Sequence, residues 1–270
     1  MKKVCWLLAL IVVFGAFSVG CADSGAQESA VLPPETPLSE FEYSVSEEYQ
    51  NAAILRYIGS TADVVVPREI EGYPVTVIYT CAFANAKVES VWLPDTVEKI
   101  WEGAFADCAS LHTVVLGDSL KEIDTDAFRR CTALKTIELP TGLQTIGYRA
   151  FSECRSLEKI TIPKTVTKMG MEAFCFTSLS SLVFEDGIEK IGSYACFWSL
   201  GDLKSVTIPA SVKELGEYTF EETLKEVHFL GDAPQKLGKD PFDENTVIYY
   251  DKNTDGWDNT ALKQYQMIEE

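Results

Sequence analysis

Histidine is almost missing from this 270-residue chain: His112 and His228 are its only two. Neither stands at a readable spacing from a Ser or Cys nucleophile with an orienting acid, so hydrolytic triads of the Ser-His-Asp or Cys-His kind find no support. Basic residues are also scarce, 23 Lys and Arg against 41 Asp and Glu, a net charge of −18. Residues 1–20 contain Lys2 and Lys3 but no acid, so the chain beyond them carries −20. Nucleic acid and anionic lipid surfaces both need a basic footprint, and this composition argues against them as partners. The acidity itself reads most simply as a solubility device. Low-complexity tracts are lacking too, and the apolar stretch Val4 to Phe17 is too short to span a bilayer. What is plentiful is core-forming material, with 46% hydrophobic residues.

That material is arranged periodically. Seven units begin at Val75, Val97, Leu120, Leu143, Val166, Ile188 and Val212, spaced by 22, 23, 23, 23, 22 and 24 residues. Each has an aliphatic residue, a second three later, an Ala-Phe pair, and a Leu-x-x-Ile-x-Leu/Ile stretch that ends near Pro. Ala-Phe recurs at Phe83, Phe105, Phe128, Phe151 and Phe174; Cys196 then takes the Phe place, and Phe220 resumes it. A fixed period near 23 predicts a solenoid, in which each unit buries its apolar side only against its neighbours.

The fourth unit shows how one coil folds. Leu157, Ile160 and Ile162 point inward from a strand while Lys159 and Thr161 face out. Pro163 ends the strand because it lacks the N–H that a ladder needs. Stacked units align these strands as a parallel sheet. Ile146-Gly147 turns the chain, and Ala150-Phe151 opens a short helical turn that carries it back, with the Phe filling the gap between coils. The unit from Ile188 carries an extra residue around Phe197 to Gly201, read as a bulge in which Phe197 or Trp198 supplies the ring that Cys196 lacks.

The pattern Ile-Gly-x-x-Ala-Phe-x-x-Cys-x-x-Leu at Ile146 to Leu157, echoed in the other units, resembles the BspA-like leucine-rich repeats of bacterial surface proteins. The resemblance runs from roughly Phe41 to Ile268. Trp101 and Asp124 depart from it where Gly is common, and Glu185 replaces Pro. It implies an α/β repeat solenoid, a right-handed superhelix with a parallel β-sheet on its concave face and short turns or helices on its convex face. Residues 41–74, with Asp63 to Pro67 and Gly72 to Thr76, then form an N-terminal cap or half-repeat, residues 75–231 the seven repeats, and residues 232–270 a C-terminal cap. Family members are associated with adhesion and with host or matrix contact, so the resemblance implies a non-catalytic surface protein that binds a protein or glycan.

The N-terminus is an address. Lys2 and Lys3 precede the apolar stretch, and Ser18-Val19-Gly20 then leads to Cys21. Residues 1–20 resemble the signal peptide of a bacterial lipoprotein, with Ser18 standing where such signals carry Leu. Cys21 would be lipidated and anchor the exported protein to a membrane at the cell surface or envelope; a plain secretory signal cut nearby is the alternative. Residues 21–40, rich in Ser, Gly and Pro, read as a flexible tether.

Candidate chemistry is sparse. Cys108, Cys131 and Cys154 share one column and read as small buried hydrophobes, with disulfides between adjacent coils as the alternative. Three in-line thiols do not make a tetrahedral metal site. Asp251, Asn253 and Asp255 reproduce the first half of a calcium loop, but Leu262 stands where the bidentate Glu is required. That match is a weak metal candidate, and no cofactor is expected. The outward strand column is the candidate binding face: Trp92, Val115, Glu138, Thr161, Val183, Thr207 and His228, flanked by Ser90, Thr113, Thr136, Lys159, Ser181, Ser205 and Glu226. A continuous face of this kind is how solenoids bind, although Thr and Val are also plain strand formers. A structural envelope lipoprotein without a dedicated ligand, or an enzyme, are the alternatives; the second is disfavoured because no acid pair, metal cluster or nucleophile stands out of register with the repeat.

Overall fold

The computed structural model describes residues 32–270, apart from 199–200, 202, 221–223 and 260. Residues 1–20, read above as a signal peptide, and Cys21 lie outside the described residues. From Pro33 onward the chain forms a single compact unit, a parallel β-solenoid. Backbone pairing begins inside the span assigned to the tether: the Thr36 N–H donates to Val65 O (3.0 Å), and the Thr36 hydroxyl accepts the Val65 N–H (3.0 Å).

Most coils contribute two strands. The broad strands, three or four residues long, are the Ile-x-Ile segments: Asp63–Val65, Ser90–Trp92 and Thr113–Val115 form one parallel sheet, Lys159–Ile162 and Ser181–Phe184 a second, and Ser205–Ile208, Glu226–Phe229, Val247–Tyr250 and Gln266–Glu269 a third. The narrow strands are two-residue pieces such as Thr145–Ile146 and Lys168–Met169, and their sheet is unbroken. They belong to an 11-stranded sheet that opens with the antiparallel pair Phe41–Ser46 and Asn51–Tyr57 and continues in parallel to Lys236–Leu237. Sequence reasoning took Ile146-Gly147 simply as a turn and missed this second sheet. Its turn follows at Gly147 and Gly170, where the coils approach so closely that a Cβ on Gly147 would lie 2.6 Å from the Asp124 carbonyl carbon, and one on Gly170 2.5 Å from that of Gly147.

The third side of each coil is a chain of turns, not helices, which corrects the α/β expectation. The helical segments among the described residues are three 3-10 turns at Leu38–Glu40, Trp257–Asn259 and Ala261–Gln264, none of them in the repeats. The reason lies in the amides. An α-helix commits each N–H to the carbonyl four residues back, but here alternate N–H groups point to the next coil. Gly103 N–H donates to Thr125 O (2.9 Å), Phe105 to Ala127 (2.7 Å) and Asp107 to Arg129 (2.8 Å), while Ala104 and Ala106 close three-residue-back turn bonds within the coil. The same three-bond step recurs from Asp126, Phe128 and Arg130 to Tyr148, Ala150 and Ser152, and from Arg149, Phe151 and Glu153 to Met171, Ala173 and Cys175. This alternation places the residues two before and two after each Phe in the left-handed region, as at Asp126 (φ 54°) and Arg130 (φ 59°).

Inside the turns runs an aromatic column. Phe83, Phe105, Phe128, Phe151 and Phe174 stack with centroids 4.8–5.3 Å apart, and all are 0–1% exposed. Tyr57 extends the stack at one end, 5.3 Å from Phe83. Beyond the other end, Phe220 faces Phe242 at 6.0 Å. Parallel rings of this kind add about 0.5–1.5 kcal/mol beyond their buried area. Ala82, Ala104, Ala127, Ala150 and Ala173 are all buried beside them. Cys196 itself fills the Phe place in the Ile188 unit, buried, and its N–H keeps the ladder bond to Thr219 O (2.9 Å). The expected substitution by Phe197 or Trp198 is therefore wrong: Trp198 is 44% exposed, and Phe197 packs on Tyr194 and Trp198 at the surface. A thiol is small enough for the coil to close over it, so no ring has to turn inward.

Phe151→Ala removes a fully buried ring from the middle of the stack and is expected to cost about 3–5 kcal/mol, with the units on both sides weakened as well. A thermal melt checks this; an unchanged midpoint would show that the ring is not in the core.

Candidate functional site

The outward residues of the broad strands lie in register. Val65, Trp92 and Val115 are consecutive partners, as are Thr161 and Val183, and Thr207, His228, Tyr249 and Ile268. Pleating sends Ile160 and Ile162 inward and leaves Thr161 exposed between them. Val115 and Val183 are 41% and 48% exposed, Glu138, Thr161 and Thr207 are exposed, and Trp92 and His228 are half-buried. In the flanking column Ser90 is buried while Thr136, Lys159, Ser205 and Glu226 are exposed.

The face is not one unbroken sheet. Glu138 lies outside any strand, and its coil joins the next through the single bridge Thr136–Lys159. Beside this interruption lies a groove of about 380 Å³. Its polar lining is Thr136, Glu138, Lys159, Thr161, Ser181 and Glu185, over a floor that includes the buried Ile137 and Ile160. Glu185, the departure from Pro, accepts the Lys164 N–H through Oε2 (2.9 Å). The groove thus offers hydroxyls that both donate and accept, one ammonium and two carboxylates over an apolar floor, and its lining contains no His or Cys.

His228 closes the face near the C-terminal end. Its ring stacks on Tyr249 (4.5 Å, 6°), with Nδ1 3.6 Å from a Glu270 carboxylate oxygen and Nε2 3.8 Å from Glu226. His112 is half exposed, its Nδ1 3.0 Å from the Thr113 hydroxyl. The narrow sheet presents a different surface: Lys99–Glu122 (3.4 Å), Lys121–Glu98 (3.2 Å), Lys190–Glu214 (2.6 Å) and Lys213–Glu189 (2.7 Å) pair across adjacent coils. On this surface the side chains are engaged with each other between coils.

The other candidates have structural roles. The Sγ–H groups of Cys108, Cys131 and Cys154 donate to the carbonyls of Phe83, Phe105 and Phe128 in the preceding coil, at 3.0, 3.1 and 3.0 Å. All three are unpaired thiols, fully buried. Desolvation pushes Cys108 and Cys154 up to about 12 and raises Cys131 as well. They are thus more than small hydrophobes: each satisfies a carbonyl of the aromatic column. The Asp251 carboxylate accepts from the Asn253 backbone N–H (2.8 Å) and Nδ2 (2.7 Å), and the Asp255 N–H is taken by Asp232 (2.8 Å). Leu262, at the place of the missing twelfth ligand, is buried in the cap. Among the described residues no group of three or more His, Cys, Asp or Glu side chains is placed to hold a metal.

Two stacked strand columns, a third side of turns and a repeat near 23 residues define a leucine-rich-repeat solenoid. The profile of the BspA type leucine rich repeat region matches six copies over residues 76–199 and 194–254, and the chain belongs to this family. Among solved structures it is similar to a leucine-rich repeat protein of T. pallidum (TpLRR), at 32% identity and a TM-score of 0.60, over 79% of this chain and 86% of that one. It is also similar to a leucine-rich repeat protein from Bacteroides ovatus, with 24% identity and a TM-score of 0.55 over 78% and 70% of the two chains. No curated protein matches the sequence at a significant level. Leucine-rich repeats generally bind proteins, and this family is typically non-catalytic.

At about pH 8 a thiol with a pKa near 12 is thiolate to only about one part in ten thousand. Iodoacetamide is therefore expected to label the exposed Cys81 of the native protein and to reach Cys108, Cys131 and Cys154 only after unfolding. Mass spectrometry of the labelled protein checks this, and rapid native labelling of Cys131 would contradict the buried thiol column.

Proposed function

We propose that the protein is a non-catalytic, exported surface protein that presents the outward face of its broad strands to a protein or glycan partner, tethered to a membrane through a lipid at Cys21. The observation that carries the binding reading is the outward column, in register within the runs Trp92 to Val115, Thr161 to Val183 and Thr207 to His228, together with the groove beside Glu138 and Lys159. Half-buried Trp92 supplies an apolar anchor of the type that dominates binding energy in protein interfaces. Exposed Thr161, Thr207 and Ser205 give a surface whose strand positions do not depend on being polar, so their side chains are available to a partner. Membership of a repeat family whose modules bind proteins supports a protein partner first. Export and lipidation rest on the reading of residues 1–21.

A glycan array and a pull-down from the surrounding envelope and host matrix proteins, both with the fragment from Pro33 onward, identify the partner class. The triple variant Trp92→Ala, Thr161→Glu, Thr207→Glu is expected to weaken that binding by at least about tenfold with an unchanged melt. Equal binding by variant and wild type would remove the strand face as the site. Separately, Cys21→Ala is expected to move the protein from the membrane fraction to the soluble exported fraction; membrane retention of that variant would end the lipid-anchor reading.

A further inference from the structure

The turn side of the solenoid changes character along its length. Two positions per coil, two before and two after the Phe place, lie in the left-handed region. In the earlier coils they are filled by Cys81 and by Asn85, Gly103, Asp107 and Asp126, the last four of types that tolerate this backbone, and then by the paired charges of Arg130 with Glu153 (2.9 Å) and Arg149 with Glu172 (2.7 Å). From Phe176 onward the same positions turn aromatic: Phe176 (φ 58°), Tyr194 (57°), Trp198 (48°) and Tyr218 (50°). With Phe197 they form a contiguous surface array. Phe176 meets Trp198 at 5.1 Å, Trp198 meets Phe197 at 4.4 Å, Phe197 meets Tyr194 edge-on at 5.2 Å, and Tyr194 stacks on Tyr218 at 5.3 Å.

The rings pack on one another between coils, but the backbone itself does not ask for them. Bulky residues at positive φ are unfavourable, where Gly or Asn would relieve the backbone. The core does not need the rings either, since Cys196 completes the aromatic column without Phe197 or Trp198. Five clustered rings, with Trp198 44% exposed, are an apolar patch of a sort that marks interaction sites.

The chemistry of the occupant follows from charge. Aromatic ring faces carry partial negative charge and attract ammonium and guanidinium groups. The turn side already uses this contact twice within the chain, with Arg149 Cζ 4.6 Å over the Tyr148 ring and Lys239 Nζ 5.6 Å over Tyr218. Among the described residues no cation of this chain lies over Phe176, Phe197 or Trp198. The chain as a whole carries −18, so a cationic partner is drawn to it from a distance as well. We infer that the array Phe176, Tyr194, Phe197, Trp198 and Tyr218, in the turns of the solenoid, is a second docking surface and that it takes Arg- or Lys-bearing segments of a partner protein. This surface is independent of the strand-face proposal.

The test uses the full chain and a fluorescein-labelled peptide in which Arg and Lys alternate with Gly and Ser, read by anisotropy at low and at physiological salt. Wild type is expected to bind it, and Trp198→Ala or Tyr218→Ala to weaken binding about fivefold or more. Trp198→Tyr, which keeps a ring, stays within about twofold of wild type, and Tyr49→Ala, which removes an exposed ring outside the array, leaves the affinity unchanged. Melts of each variant confirm that the solenoid is intact. The inference is overturned if the Ala variants bind as tightly as wild type, if a peptide with Gln in place of every Arg and Lys binds equally well, or if a neutral oligosaccharide displaces the basic peptide. Failure here with an intact effect of the strand-face triple variant leaves the proposed function standing.

Discussion

The hydrogen bonds between successive turns are what the rest of this structure depends on. In each coil, alternate amides flanking and including the Phe are committed to the next coil, and Phe105 to Ala127, Phe128 to Ala150 and Phe151 to Ala173 run at 2.7–2.8 Å. That commitment rules out an α-helix on this side, because the same N–H groups cannot also reach four residues back. It fixes the separation of the coils at one strand spacing, which in turn puts the rings in contact at about 5 Å and brings Gly147 against the backbone of Asp124. The backbone then has to enter the left-handed region twice per coil. Ring stack, thiol column and turn surface are all consequences of that one ladder.

The repeat architecture was legible because periodicity is a global signal. Five copies of Ala-Phe and the recurring Leu-x-x-Ile-x-Leu/Ile stretch placed the core correctly, down to Leu157, Ile160 and Ile162. The outward column read from the same spacing matches the observed strand register wherever strands form. Three things were not legible. A two-residue strand such as Thr145–Ile146 has no alternation to detect, so the second sheet could be found only through the stacking of coils. The turns look helical in sequence because Ala, Phe and Arg are compatible with a helix, and it is the amide direction, set between coils, that decides otherwise. At Cys196 the expectation that a large cavity must be filled by a neighbouring ring neglected how far a close-packed coil can close over a small residue.

The binding face divides in the same way. Sequence spacing identified which side chains point out, but not that the broad sheet breaks at Glu138 or that a groove lies there. The Ser90 side chain, read as part of the flanking strip, is buried between its neighbours in register, Asp63 and Thr113. The aromatic array on the turn side gave one readable signal, the shift from charged to aromatic residues at fixed positions in the period. Its meaning needed the backbone angles, which show that these positions disfavour large side chains. Both surfaces follow from the economy of a solenoid: one repeat supplies the scaffold, and the residues that the scaffold leaves free differ from coil to coil.

Native-state hydrogen exchange measures the inter-coil ladder most directly. The account predicts that the turn amides of Phe105, Phe128 and Phe151 exchange as slowly as the strand amides of Ile160 and Leu182, because opening them requires separating two coils. Exchange of those turn amides at the rate of ordinary exposed loops, with the strands still protected, would contradict it.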